Sequence, residues 1–263
     1  MGRFDEALVL VEGSRSRFRC DRRLAAGLVA IYRAQGRYSE ALVALDQLNA
    51  EFPFDIRGRV ARAAILSRLG AFDDAMAAYD AVLAERPYQL SATLGKAALL
   101  IRLGRNSEAA ALLPEQDPRT RSDWRTLTLR AFLVEGREGY RAASKMLTRY
   151  IPRCPFAFER RRMRDLLATI ELRQNHWNSA RRIVEAYPDE VSNVISLHVL
   201  AATHRTGRAQ DFLDRIRFNP GPADIVYLAD EIARRHQLTD EEPRHPDGWI
   251  ETAERNIILA EAA

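Results

Sequence analysis

The side chains in this sequence best equipped for chemistry are arginines, which supply 38 of its 40 basic residues. A guanidinium stays charged at physiological pH and presents a planar fork of donors that matches carboxylates and phosphates. The densest run is Arg160-Arg161-Arg162 with Arg164, accompanied by Arg153, Arg173, Arg181 and Arg182. On a helix, 160 and 164 share a face while 161 and 162 point elsewhere. Such a patch suits phosphate contact. No aromatic platform or recognition motif stands beside it, so direct nucleic-acid binding is disfavoured, and a nucleic-acid-associated regulatory role for 153–182 is a rival reading only. Arginine abundance also has bland sources, namely coding composition and the ease with which arginine occupies helix surfaces.

The remaining reactive residues do not assemble into a catalytic pattern. There is no phosphate-binding glycine loop, and no Ser–His–Asp or Cys–His spacing. The five histidines, at 176, 198, 204, 236 and 245, have no ligand spacing with Cys20 or Cys154, so no structural metal is expected. The two isolated cysteines read as free thiols. His176 lies at an interhelical turn, where capping is the common role. Asp73-Asp74 and Glu241-Glu242 sit at a helix start and in a loop, where they serve the helix dipole or solubility. The expectation is a non-enzyme without catalytic residues, metal or cofactor.

These side chains ride on a repeated element. Gly2-Arg3-Phe4-Asp5-Glu6-Ala7 returns 34 residues later as Gly36-Arg37-Tyr38-Ser39-Glu40-Ala41, then as Gly70-Ala71-Phe72-Asp73-Asp74-Ala75, then as Gly104-Arg105-Asn106-Ser107-Glu108-Ala109. A period of this length marks stacked helical hairpins. Residues 24–32 have helical periodicity, and Gly36 ends that helix where a positive φ costs little. The amphipathic segment 38–48 follows, and Pro53 stops it. Ala41, Ala75 and Ala109 are small residues where two helices cross closely. Tyr38 and Phe72 are aromatic plugs between hairpins. A lone hairpin cannot bury both faces, so each requires its neighbour.

The pattern resembles the tetratricopeptide repeat family. One repeat matches with Ala25, Leu28, Tyr32, Gly36, Tyr38, Ala41 and Pro53, the next with Ala63, Gly70, Phe72, Ala75, Tyr79 and Pro87, and a third with Ala97, Gly104 and Ala109. The resemblance implies an all-α, right-handed superhelical solenoid of antiparallel hairpins, and a scaffold that binds peptides or proteins. The expected organisation is regular repeats over 1–121 (a half repeat 1–21, full repeats 22–55, 56–89 and 90–121), degenerate hairpins over 122–218, and C-terminal capping helices with an acidic loop over 219–263. In the degenerate stretch Gly136 is expected to close a helix beginning at Trp124. Gly207 is expected to mark a turn, and Phe212 to sit where an alanine belongs.

The resemblance also implies a site. First helices of such hairpins line a concave surface, and the family's ligand-facing positions fall on Arg23, Ala26, Ala30, Arg33, Arg57, Val60, Ala64, Arg68, Leu94, Ala98, Ile101, Arg102 and Arg130. This predicts an arginine-lined groove over a small apolar floor, suited to an acidic peptide, an acidic protein surface or a phosphorylated segment. The family's lysine and asparagine pattern for gripping a terminal carboxylate is absent, since Lys96 is the only lysine in the first three repeats.

Charge and ends complete the picture. Residues 1–209 carry a net +10 and residues 210–263 a net −6, an asymmetry that favours head-to-tail contact or anionic partners. The N-terminal segment 3–11 matches a second helix without its first, so self-association through it, or docking to an enzyme subunit as an assembly component, is the runner-up function. No apolar run suffices for a membrane span and no secretion signal opens the chain, so the expected location is cytoplasmic.

Overall fold

The computed structural model describes residues 2–15, 22–52, 55–114, 123–219, 222–239 and 241–262, and its regular elements are all helical. Cys20, Pro53 and Pro118 lie outside the described residues. The helices are α1 (Gly2–Arg15), α2 (Arg22–Ala34), α3 (Tyr38–Glu51), α4 (Ile56–Leu69), α5 (Phe72–Glu85), α6 (Leu90–Arg102), α7 (Asn106–Leu112) and α8 (Trp124–Glu138). Then come α9 (Tyr140–Tyr150), α10 (Ala157–Arg173), α11 (Trp177–Ala186), α12 (Asn193–Ala202), α13 (Thr206–Phe218), α14 (Ala223–Arg235) and α15 (Trp249–Ala262). From α2 to α13 they pair as antiparallel hairpins, α2 with α3 through α12 with α13, and successive hairpins stack into a solenoid.

One turn geometry makes these hairpins. Gly36, Gly70 and Gly104 adopt positive φ of 72°, 83° and 76°. The residue after each donates its backbone N–H five residues back: Arg37 to Tyr32 O, Ala71 to Leu66 O and Arg105 to Leu100 O, at 2.9–3.0 Å. This left-handed closure satisfies carbonyls that the helix end leaves open. The same bond recurs without glycine. His176 N–H donates to Glu171 O at 2.9 Å and Arg205 N–H to Leu200 O at 2.8 Å, with Asn175 and His204 at φ 58° and 56°.

The second helix of every hairpin then places an alanine at its fourth residue. Ala41, Ala75, Ala109, Ala143, Ala180 and Ala209 are each 0% exposed. Two expectations are thereby corrected. Gly207 lies inside α13, and Ala209, not Phe212, fills the small position of that hairpin. Gly136 lies inside α8, and Gly139, with φ 87°, makes the turn.

The core is a chain of apolar clusters. Leu28, Val29, Leu45 and Leu48 form one around α2 and α3. Leu66, Tyr79, Val82 and Leu99 form the next. Two larger clusters follow, one from α6 to α10 and one from α10 to α14. Helix α15 belongs to both, with Ile258, Leu259 and Ala262 in the former and Ile250 in the latter. It packs on α6, α8, α10 and α14. The C-terminal helix therefore folds back across the repeats and joins two parts of the core.

Within the second cluster, Tyr79 is 1% exposed and its ring occupies the space beside Gly95. A Cβ on Gly95 would meet two ring carbons and the hydroxyl oxygen of Tyr79 at 2.5 Å. Helix propensity alone favours alanine over glycine by about 1 kcal/mol, but overpacking a filled core costs about 1–3 kcal/mol. We expect Gly95→Ala to lower stability in a urea melt, and an unchanged or raised midpoint would refute this packing.

Candidate interaction groove

First helices pack side by side along the solenoid, α4 on α6, α6 on α8, α8 on α10, α10 on α12 and α12 on α14. Their common inner face is the surface to which the predicted ligand-facing residues were assigned. The structure divides those residues into two groups. Arg23, Ala26, Ala30 and Arg33 on α2 and Arg57 on α4 are exposed, and Val60, Ala64, Arg68 and Arg102 are half-buried. Leu94, Ala98, Ile101 and Arg130 are buried, at 0%, 6%, 1% and 9% exposure.

The reason for the second group is packing. Leu94, Ala98 and Ile101 belong to the cluster that α15 covers. Arg130 turns toward the end of the preceding hairpin, donating from Nη2 to Pro114 O at 2.5 Å and from Nε toward Leu113 O at 3.4 Å. Leu94 and Ile101 thus pack within the scaffold, while Arg130 ties α8 to the preceding hairpin and lines a separate cavity of about 1240 Å³ with Leu113, Pro114, Leu127 and Val134.

The half-buried arginines are met by the chain itself. Arg68 Nη2 lies 3.2 Å from Asp224 Oδ2, and its guanidinium stands over the Tyr38 ring at 5.6 Å. Asp224 is on α14, whose first residue, Ala223, brings its Cβ to 3.3 Å from where a Cβ on Gly36 would stand. Arg102 donates from Nη1 to Ser67 O at 3.0 Å and stands over the Phe72 ring at 4.9 Å. Burial, and then the Arg68 charge, hold the Arg102 pKa below its ordinary value. Arg33, Arg68 and Arg102 line one small cavity, and its opposite wall carries Asn256, Leu259 and Ala260 of α15. Asp224, Asn256 and Leu259 escaped the sequence reading because nothing in the repeat pattern ties residues beyond 218 to this face.

Four arginines of the second basic patch meet carboxylates of the chain. Arg160 Nη2 meets Glu190 Oε1 at 2.8 Å, and Arg164 pairs with the same carboxylate while standing 3.6 Å from the Tyr187 ring centroid. Arg173 meets Glu135 at 2.8 Å, and Arg181 meets Glu185 at 3.9 Å. Arg182 donates to Asn178 O at 3.3 Å. Arg153 stands over the Tyr150 ring, and Arg161 lines a cavity beside α15. Arg160, Arg164, Arg173 and Arg181 thus link α8, α10, α11 and the following turn.

Helix α15 is seated by a buried ion pair. His198 Nδ1 lies 2.7 Å from Glu254 Oε1, with side-chain exposures of 5% and 0%. Glu254 shares a face with Ile250 and Ile258, a carboxylate on an apolar stripe that is legible in the sequence but was not singled out. Burial opposes charging of His198, yet the adjacent Glu254 carboxylate outweighs it and the pKa lies above the ordinary value. His236, whose ring centroid is 5.6 Å from that of His198, is pushed down to about 4 by burial and by the His198 charge.

Other reactive groups are accounted for. Among the described residues no three His, Cys, Asp or Glu side chains group so as to hold a metal ion. Cys154 is a buried free thiol whose pKa is raised by burial and then by Glu159. His176 meets Glu171 at 3.1 Å at its turn. No helix among the described residues is long and apolar enough to cross a membrane.

The two histidines give opposite pH limbs. His198 binds its proton more tightly folded than unfolded, so its contribution is complete below the ordinary value of 6.5 and is lost as pH rises through its raised pKa. His236 binds its proton less tightly folded, so stability is lost as pH falls from 6.5 toward about 4. Urea unfolding across this range should show a maximum near the ordinary histidine value. Glu254→Gln should abolish the alkaline decline, and parallel alkaline limbs for the two proteins would refute the pairing.

A family model of the tetratricopeptide repeat matches residues 1–65 and 66–131. Among solved structures, the chain is similar to a tetratricopeptide repeat protein from Parabacteroides merdae, with a TM-score of 0.62 and 17% identity over 88% of this chain and 92% of that one. It is also similar to human IFIT1, seen as a dimer with m7Gppp-AAAA, with a TM-score of 0.47 and 15% identity over 89% of this chain and 56% of that one. A third similarity is to Naa15/Naa10 bound to HypK-THB, with a TM-score of 0.37 and 16% identity over 90% of this chain and 40% of that one. No curated protein matches this chain.

Proposed function

Because the chain belongs, through residues 1–131, to the tetratricopeptide repeat family, a repeat scaffold for protein–protein interaction, we propose that it holds an acidic segment of another protein on its concave face. The segment lies at the end formed by α2 and α4. Arg23, Arg33 and Arg57 are exposed there, over the small side chains Ala26 and Ala30. Small residues let a partner backbone approach, and guanidinium forks grip its carboxylates. The observation that carries this reading is the Arg68–Asp224 pair, in which a carboxylate of the chain's own α14 already sits against an arginine of this face. The middle of the face, over α6, α8 and α10, is covered by α15, so the partner segment is short.

Reversing Arg23, Arg33 and Arg57 together to Glu should lower the affinity for a fluorescein-labelled glutamate-rich peptide by at least about tenfold, a loss of roughly 1.4 kcal/mol. Helical circular dichroism should be unchanged, since these side chains are exposed. Equal anisotropy curves for variant and parent would remove the assignment to this face.

A second reading, self-association through α1, is favoured by one observation. Val9 and Leu10 on that helix are 70% and 71% exposed. Adjacent apolar side chains on a terminal helix suit a contact between copies. Light scattering should then give a mass above 29.9 kDa that falls to the monomer value in Val9→Lys/Leu10→Glu. A monomer at every working concentration would eliminate this reading.

A further inference from the structure

We infer that the cavity shared by the repeats and α15 is an anchor for a phosphoryl group, so that the segment bound on the concave face is a phosphorylated one. This rests on the concave-face reading above and names the chemistry of its inner end. Three guanidinium-bearing residues, Arg33 of α2, Arg68 of α4 and Arg102 of α6, come from three successive first helices and line the same space. Among the described residues lining it, none is a carboxylate. Asp224 is the acidic partner of Arg68, 3.2 Å away, and also bonds the Tyr38 hydroxyl. Two of the three positive charges therefore face the cavity without an anionic partner among those residues. Arg102 spends one donor on a backbone carbonyl, and no carboxylate offsets its charge.

Charge and shape favour phosphate over carboxylate. A phosphate monoester carries about −1.5 to −2 charges near neutral pH and three acceptor oxygens arranged about one atom. It can accept from guanidinium groups arriving from separate helices, whereas a carboxylate presents two oxygens in one plane to one fork. The cavity measures about 60 Å³. At about 10–15 Å³ per water, it accommodates a few waters or one compact oxyanion. Its far wall is not a repeat. Asn256 of α15 adds an amide donor, and Leu259 and Ala260 close the space. The site is thus complete only while the C-terminal helix is seated.

The test uses the full chain labelled with nitrogen-15. Inorganic phosphate should shift the Nε–Hε signals of Arg33, Arg68 and Arg102 saturably, while acetate and matched sodium chloride leave them in place. Arg33→Ala, at an exposed helical position, should weaken phosphate binding by about tenfold, and Asn256→Ala should weaken it less with the same helical signal. A short alanine-based peptide carrying one phosphoserine should bind more tightly than free phosphate. Its glutamate counterpart should bind at least about tenfold more weakly. Equal effects of acetate and phosphate, or equal binding of the two peptides, would overturn the phosphoryl assignment while leaving a carboxylate-binding face intact. Tighter binding of free phosphate than of the phosphopeptide would assign the cavity to a small oxyanion and overturn the anchor. Arg23 and Arg57 do not line the cavity, so loss of glutamate-peptide binding in Arg23→Glu/Arg57→Glu is independent of the phosphate outcomes, and the two readings fail separately.

Discussion

The structure depends on six buried methyl groups. Ala41, Ala75, Ala109, Ala143, Ala180 and Ala209 each stand at the fourth residue of a second helix, fully excluded from solvent. A methyl at this point lets the two helices of a hairpin approach closely, and a larger side chain would spread them at the cost of the core around them. The first residue of the same helices is far freer, being Tyr38, Phe72, Asn106, Tyr140, Trp177 and Thr206 in turn. The aromatic plug can therefore be dispensed with, whereas the close crossing is kept in every hairpin. Since no hairpin covers its own apolar surface, the crossing geometry propagates into a stack.

The stack leaves an inner face that is apolar in its middle and basic toward its N-terminal end. The chain answers both properties itself. Helix α15 places Ile250, Ile258 and Leu259 into two core clusters that also meet through α10 and Ile183 of α11. Its seat includes a buried carboxylate, tolerable because His198 lies within hydrogen-bonding distance. Helix α14 brings Asp224 to Arg68. The basic body and acidic tail, which in sequence suggest attraction between molecules, are in part an attraction within one. Arg23, Arg33 and Arg57 stay exposed at the α2–α4 end, and Arg33 also lines the cavity shared with α15.

Legibility in the sequence followed the source of each constraint. The early hairpins were readable because Gly36, Gly70 and Gly104 mark the left-handed turn residue directly. The later turns use Asn175 and His204 at φ 58° and 56°, residues that enter this region at modest cost when the closing hydrogen bond is made. Glycines that happen to lie nearby then misled: Gly136 and Gly207 are helical. The alanine at the fourth position is the more constant mark, although in α13 it is Ala209 and not the expected Phe212 position that carries it. Among the predicted groove residues, those on α2 and Arg57 on α4 lie at the surface. Leu94, Ile101 and Arg130 do not, because exposure on α6 and α8 is set by what packs over them and not by repeat position.

By itself the sequence determined the helices, their pairing and the repeated small contact, since each follows from residues within about one turn or one hairpin of each other. It also pointed to Arg33, Arg68 and Arg102, which line one cavity, because a fixed period fixes orientation. Only the tertiary structure decided where the last two helices go, which arginines they neutralise and which they leave around a cavity. Those outcomes come from apolar surface and charge separated by more than a hundred residues, as with Arg68 and Asp224, and no local pattern encodes which of several buried faces such a helix will cover.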